Sequence, residues 1–282
     1  MFYLIITTII WSFSFSLIGN YLSTDINSWS LAFLRSTIAC IFFLRWIDFK
    51  IPFSYILKIV LIGALQIGIM YMLYLNAFNY TSVQKILLFT ITTPFYVTMI
   101  SQIINKKIKL FSFFIALISI LVALVIRMTD LNTGDFVGFI FIQLANISFA
   151  LGQVLYKIIK ADNKISTNVY TDFSFFFIGA SFITLIGLMI STSSYTQPSS
   201  TSQWLLVLWL GGGASGIGYY FWNHGATQVR VETLATMNNL VIPLGLFIEV
   251  LFFSGTYNYQ TFVVGSVIII SSIAASLRYG KI

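Results

Sequence analysis

Two adjacent carboxamides, Asn238 and Asn239, stand in the run ETLATMNNLVIP (232–243), which is otherwise apolar enough for a bilayer. An amide buried without partners costs roughly 4–8 kcal/mol on the least forgiving transfer scale. The pair must therefore face protein or a watered cavity. A carboxamide both donates and accepts hydrogen bonds, so it can pair with polar groups of either kind. Pro243 comes one turn later and frees a carbonyl inside the same span. Charges also sit in apolar surroundings. Arg35 lies about seven residues into its apolar run, roughly 10 Å from the end by helix rise, where a cation is expensive and points to function. It could attract a substrate carboxylate or pair with Glu249. Glu249 lies close to three helical turns after Asn238, so the two share a face. It is a candidate group for taking up and releasing a proton.

The remaining candidates would build walls. Trp11, Tyr71, Tyr74, Tyr220 and Trp222 lie within or near apolar runs and could line a cavity, and Gln66, Gln143 and Asn146 are mid-span amides of similar standing. Trp29, Trp46 and Trp204 fall at span ends and fit an interfacial belt. Lys85 begins a span and reads as a headgroup cation. His224 has no second ligand at zinc spacing, so no metal site is expected. Cys40 is the single cysteine and cannot form an internal disulfide. Phosphate-binding loops, metal motifs and nucleophile elbows are absent from the sequence. No cofactor is expected, and an enzyme would need catalytic groups clustered at one membrane face, where only scattered ones occur.

The elements that hold these residues can be read from composition. Of 282 residues, 58% are hydrophobic and only 8% charged, with a mean hydropathy of +0.93. A soluble domain would carry roughly a quarter charged residues, so the chain belongs in a membrane. The net charge of +7 does not signal nucleic acid, because the cations are spaced between apolar runs. A membrane helix needs about 20 apolar residues, and the chain offers spans at about 3–20, 28–47, 55–76, 82–104, 110–127, 136–156, 171–192, 203–223, 233–254 and 260–277. The expectation is an all-α membrane protein of ten transmembrane helices. The run MFYLIITTIIWSFSFSLIG lacks the positive flank of a cleaved signal and reads as the first span.

Positive residues collect on the cytoplasmic side. With the N-terminus inside, that side holds Arg45, Lys50, Lys58, Lys106, Lys107, Lys109, Lys157, Lys160, Lys164, Arg230, Arg278 and Lys281, against Arg35, Lys85 and Arg127 in or beyond the outer half. Both termini are expected in the cytoplasm. The segments 61–94 and 210–243 align without gaps, and Leu61, Gly63, Tyr71, Ala77 and Pro94 fall on Leu210, Gly212, Tyr220, Ala226 and Pro243. Five helices per half invert the second half relative to the first, with residues 1–132 and 133–282 as the two repeats. In such transporters the substrate sits near the midplane, between interrupted helices, here marked by Pro94 and Pro243. Gly212 and Gly216 form a small-xxx-small face for helix packing.

The five-plus-five layout resembles the EamA branch of the drug/metabolite transporter superfamily. The segments LIITTIIWSFSFS, LLFTITTPFY, QLANISFALG and above all ASGIGYYFWNHGATQVRVETLATMNNLVIPLGL are similar to the biotin-transporting members of enteric bacteria. That resemblance implies a secondary importer of biotin in a bacterial inner membrane, working by alternating access. Biotin combines a carboxylate, an aliphatic chain, a sulfur ring and a ureido group, which the cation, aromatic walls and amides above could serve. The alternative within the branch is an exporter of amino acids or other amphiphilic metabolites; trace-biotin growth of an auxotroph separates the two. The expected partners are the substrate and the lipid bilayer, and a homodimer is compatible with the sequence.

Overall fold

The computed structural model describes residues 1–106, 132–162, 167–253 and scattered helical positions between 263 and 276. All regular structure among them is helical. The helices are α1 (Phe2–Tyr21), α2 (Ser28–Trp46), α3 (Phe53–Ala77), α4 (Val83–Asn105), α5 (Thr133–Ala161), α6 (Val169–Ile190), α7 (201–228) and α8 (Val231–Phe253). Seven of these eight are long and apolar enough to cross a membrane; α7 matches them in length but is diluted by glycines and polar residues. The expected span 110–127 lies outside the described residues, as do most of 260–277 and the cations Lys107, Lys109, Arg127, Lys164, Arg278 and Lys281.

Polar residues inside these helices are satisfied locally. On α1, Thr8 Oγ1 donates to Leu4 O at 2.8 Å, Ser12 Oγ to Thr8 O at 2.7 Å and Ser14 Oγ to Ile10 O at 3.0 Å. Such back-bonding lets hydroxyls turn inward without unpaired donors. Short polar residues start the helices: Asn27 caps α2, Asn168 caps α6 and Ser200 caps α7. Asn132 and Asp135 form a reciprocal capping box at α5.

At the face where α1 starts, Trp46 at the end of α2 stacks on Tyr170 at the start of α6, with centroids 5.0 Å apart. Lys157 near the end of α5 donates to Ala226 O at 2.7 Å and Val229 O at 2.5 Å, satisfying carbonyls at the end of α7. Asp172, fully buried, accepts from Tyr55, Tyr156, Lys160 and Thr167 at the same face. At the opposite face Asn27 and Ser30 bond Thr196, and Gln203 donates to Asp25 at 2.6 Å. Lys85, also at this face, forms an ion pair of 2.8 Å with buried Asp135.

The tightest helix contact is α3 on α6. A Cβ on Gly63 would strike the Phe176 carbonyl, and one on Gly179 would strike the Val60 carbonyl, so backbone lies against backbone. The expected role of Gly212 is not found: a Cβ there meets nothing within 4 Å, and one on Gly216 makes only ordinary contacts with Phe43 and Ala39. Their neighbour Gly211 takes the close approach, where a Cβ would lie 2.6 Å from Ile38 Cβ.

Four helices are interrupted, in matching pairs. A π-turn occupies Ala64–Ile69 of α3 and another Trp209–Ile217 of α7. A 3-10 turn occupies Thr90–Thr92 of α4 and another Asn238–Leu240 of α8. Each leaves carbonyls without their helical donors, and such irregular backbone survives in hydrocarbon only where protein or a cavity re-satisfies it.

Candidate substrate-binding site

The interrupted helices surround a partly open cavity with a water-accessible volume of about 100 Å³, lined from α1, α2, α3, α4, α5, α7 and α8. One corner is cationic. Arg35 is 3% exposed; its Nη2 donates to Tyr71 Oη at 2.9 Å and its Nε to Ser215 Oγ at 3.3 Å. The two hydroxyls bond each other at 2.6 Å. Among the described residues, Nη1 has no hydrogen-bond partner and no carboxylate lies within ion-pair distance of the guanidinium. A buried, uncompensated cation of this kind is costly unless an anion arrives.

A second wall is aromatic. Trp11 packs on Tyr219 at 4.9 Å, Trp222 at 5.0 Å and Phe149 at 5.7 Å between centroids. The π-turn of α7 leaves the Ala214 carbonyl open, and Trp11 Nε1 donates to it at 2.9 Å. Gly218 makes that approach possible, since a Cβ there would lie 2.8 Å from the indole nitrogen. Phe15 and Tyr74 meet edge to face at 5.2 Å.

The third wall carries amides and hydroxyls. Asn238 Nδ2 donates to Leu234 O at 2.7 Å, and its Oδ1 accepts from Gln153 Nε2 at 3.4 Å. Gln153 Oε1 in turn accepts from Trp222 Nε1 at 3.0 Å. Indole only donates, so this contact fixes which end of each amide faces which neighbour. Asn146 Nδ2 donates to Phe89 O at 3.1 Å and Thr92 Oγ1 at 3.2 Å, leaving its Oδ1 without a donor among the described residues. Thr93 Oγ1 donates at 2.6 Å to Thr90 O, the carbonyl that Pro94 deprives of its amide. The cavity thus offers a cation, apolar faces and neutral amides, a set that fits an amphiphilic acid with a polar head.

Residues 1–128 match the EamA-like transporter family. The chain is 36% identical over 275 residues to the biotin transporter of Salmonella typhimurium (strain LT2), covering 96% of this chain and 90% of that protein. The biotin transporter of Escherichia coli (strain K12) matches equally well. A "Probable biotin transporter" of Pseudomonas aeruginosa is 35% identical, with 95% of its length covered. The chain belongs to the EamA-like transporter family. It is a multi-pass membrane transporter. One crystal structure superposes on all of this EamA-like chain and 98% of its own at a TM-score of 0.72 and 13% identity, which speaks for the fold alone.

Within this EamA-like transporter, Trp11, Arg35, Tyr71, Tyr74, Asn146, Trp222 and Asn238 meet at the cavity. Other expected residues lie elsewhere. Asn239 donates to Ile91 O at 3.2 Å and so ties the break of α8 to the break of α4. Tyr220 stacks on Tyr170 at 4.9 Å, facing α6; Tyr219 takes the cavity position, because the preceding π-turn rotates the helix face. Gln66 is fully buried against Gly152, with neither amide atom partnered among the described residues. Pro94 is buried and Pro243 half-buried beside the breaks. The expected pairing of Arg35 with Glu249 is absent: Glu249, 3% exposed, accepts from Asn20 Nδ2 at 3.2 and 3.4 Å, because α8 packs on α1 whereas Arg35 faces α3 and α7. Sequence reasoning missed Thr8, Phe15, Ile142, Ala145, Phe149 and Tyr219, among others. The helical stripe of 142, 145, 146 and 149 around Asn146 would have found three of them. Gln153 and Ser215, which lie behind the wall, gave no such signal.

Proposed function

We propose that this transporter is a secondary importer of biotin in a bacterial cytoplasmic membrane, with both termini cytoplasmic. The observation that carries the reading is Arg35, a buried guanidinium with an unpartnered Nη1 at the wall of a cavity that also carries amides and aromatics. Its role would be to receive the carboxylate. Trp11, Phe149 and Trp222 would enclose the sulfur ring, and Asn146 and Asn238 would meet the ureido group. Curated relatives with the name biotin transporter support the substrate. The paired interruptions of α3 with α7 and of α4 with α8 support two inverted repeats, 1–132 and 133–282, and alternating access to a midplane site between them. The lysines Lys157 and Lys160 at the face where α1 starts support that face as cytoplasmic.

Glu249 is the candidate proton-coupling group, since it is buried with a neutral amide as its partner among the described residues. Glu249→Gln is expected to abolish stimulation of uptake by an inward proton gradient while leaving biotin counterflow intact. The importer reading is tested in a biotin auxotroph that lacks its own uptake system. Growth at trace external biotin supports it. An unchanged biotin requirement in a strain with the protein in its membrane would refute it.

A further inference from the structure

Ser215 lies outside the cavity lining, in the π-turn of α7, and is fully buried. It is nonetheless bound to the cavity's cation. An arginine presents two edges to an oxyanion: a side edge formed by Nε and the neighbouring Nη2, and an end edge formed by Nη1 and Nη2. In this protein two hydroxyl oxygens take the side edge, Ser215 Oγ at 3.3 Å from Nε and Tyr71 Oη at 2.9 Å from Nη2. Those oxygens are hydrogen-bonded to each other at 2.6 Å, so they form one unit that stands where a carboxylate would otherwise dock. The guanidinium also lies over the Tyr71 ring, 4.2 Å from its centroid. The unpartnered nitrogen is Nη1, on the end edge.

We infer that Ser215 is a positioning residue for substrate specificity: with Tyr71 it occupies the side edge of Arg35 and leaves the end edge, beside the cavity, as the one free to take a carboxylate. This rests on reading the cavity as a biotin site. The π-turn is what makes the arrangement available. It widens α7 at Trp209–Ile217, brings Ser215 to Arg35 and opens the Ala214 carbonyl to Trp11. One local distortion thereby sets both the cationic corner and the aromatic wall. A guanidinium held in place before the substrate arrives loses little freedom on binding. A neutral primary amide offers one carbonyl acceptor without the charge or the second oxygen, so the device favours acids over their amides.

The test uses the purified full chain in proteoliposomes, with counterflow of labelled biotin and inhibition by unlabelled biotin or by its neutral primary amide. Counterflow needs no knowledge of the coupling ion. Ser215→Ala is expected to raise the KM for biotin about tenfold, leave the maximal rate within about twofold, and weaken inhibition by the amide much less, the tenfold being what the carboxylate loses when one charge-assisted bond from a misplaced guanidinium is not made. Should that variant not fold, Ser215→Cys keeps the volume, weakens the acceptor and is held to the same outcomes. An unchanged KM for biotin overturns the inference, and so does an equal loss for biotin and amide, which a merely structural role would give. No saturable biotin counterflow by the unmodified protein overturns instead the functional reading beneath it.

Discussion

Replacing Arg35 by glutamine separates a substrate-binding cation from a structural one, because the two roles move affinity and stability in different ways. The guanidinium is buried, and its Nη1 has no partner among the described residues. Its Nε and Nη2 bonds go to two hydroxyls that already bond each other. Arg35→Gln removes the buried charge and costs those two bonds, so the terms offset and stability should change by less than about 1 kcal/mol. Biotin binding should suffer far more. Two charge-assisted bonds from the end edge, at about 1.5 kcal/mol each, amount to about 3 kcal/mol, or roughly 150-fold in affinity. Biotin at about 100 times its Kd should stabilise the unmodified protein by about 2.7 kcal/mol, visible as a rise in Tm that the variant lacks at the same concentration. The assay is thermal unfolding with and without biotin, beside counterflow per folded molecule. A variant that unfolds much more readily but keeps its KM and its biotin-dependent rise in Tm would refute the reasoning.

Asn238→Ala and Asn239→Ala should diverge. The first removes a cavity amide and is expected to raise the KM about tenfold, as for a bond worth about 1.4 kcal/mol. The second cuts the bond between the two helix breaks and should lower the maximal rate with little effect on KM, as read by counterflow. Gly179→Ala drives a methyl into the Val60 carbonyl and should destabilise by about 1–3 kcal/mol, whereas Gly212→Ala, in open space, should be neutral or stabilising by up to about 1 kcal/mol; thermal unfolding compares them. Lys160→Met leaves buried Asp172 without its ion-pair partner and should cost about 3 kcal/mol, measured the same way.

The helices were legible because hydrophobic length is a one-dimensional property. Eight of the expected spans lie where the apolar runs placed them. The cation and the amide Asn238 were legible because a polar group in a hydrocarbon span needs a partner, and the composition around Arg35 made the cost evident. Which face each residue takes was less legible. The π-turn at Trp209–Ile217 rotates one half of α7 against the other, so Tyr219 lines the cavity where the apolar run had suggested Tyr220, and Gly211 makes the close approach where small-xxx-small spacing had suggested Gly212. Supporting residues were hidden for another reason. Ser215 and Gln153 matter through the atoms they bond on other helices, and a serine or glutamine in a span carries no mark of which neighbour it will meet.

Asp172 has a bearing on how the molecule can move. Its two oxygens are filled by four donors, from α3, α5 and the loop before α6, and the neighbouring α3–α6 seam runs peptide against peptide at Gly63 and Gly179. Sliding that seam by one residue would put a side chain where only hydrogen fits. The riveted trio joins α3 of the first repeat to α5 and α6 of the second, so alternating access has to turn on helices outside it, among them α1 and α8, which pack on each other and supply the Trp11 and Asn238 walls.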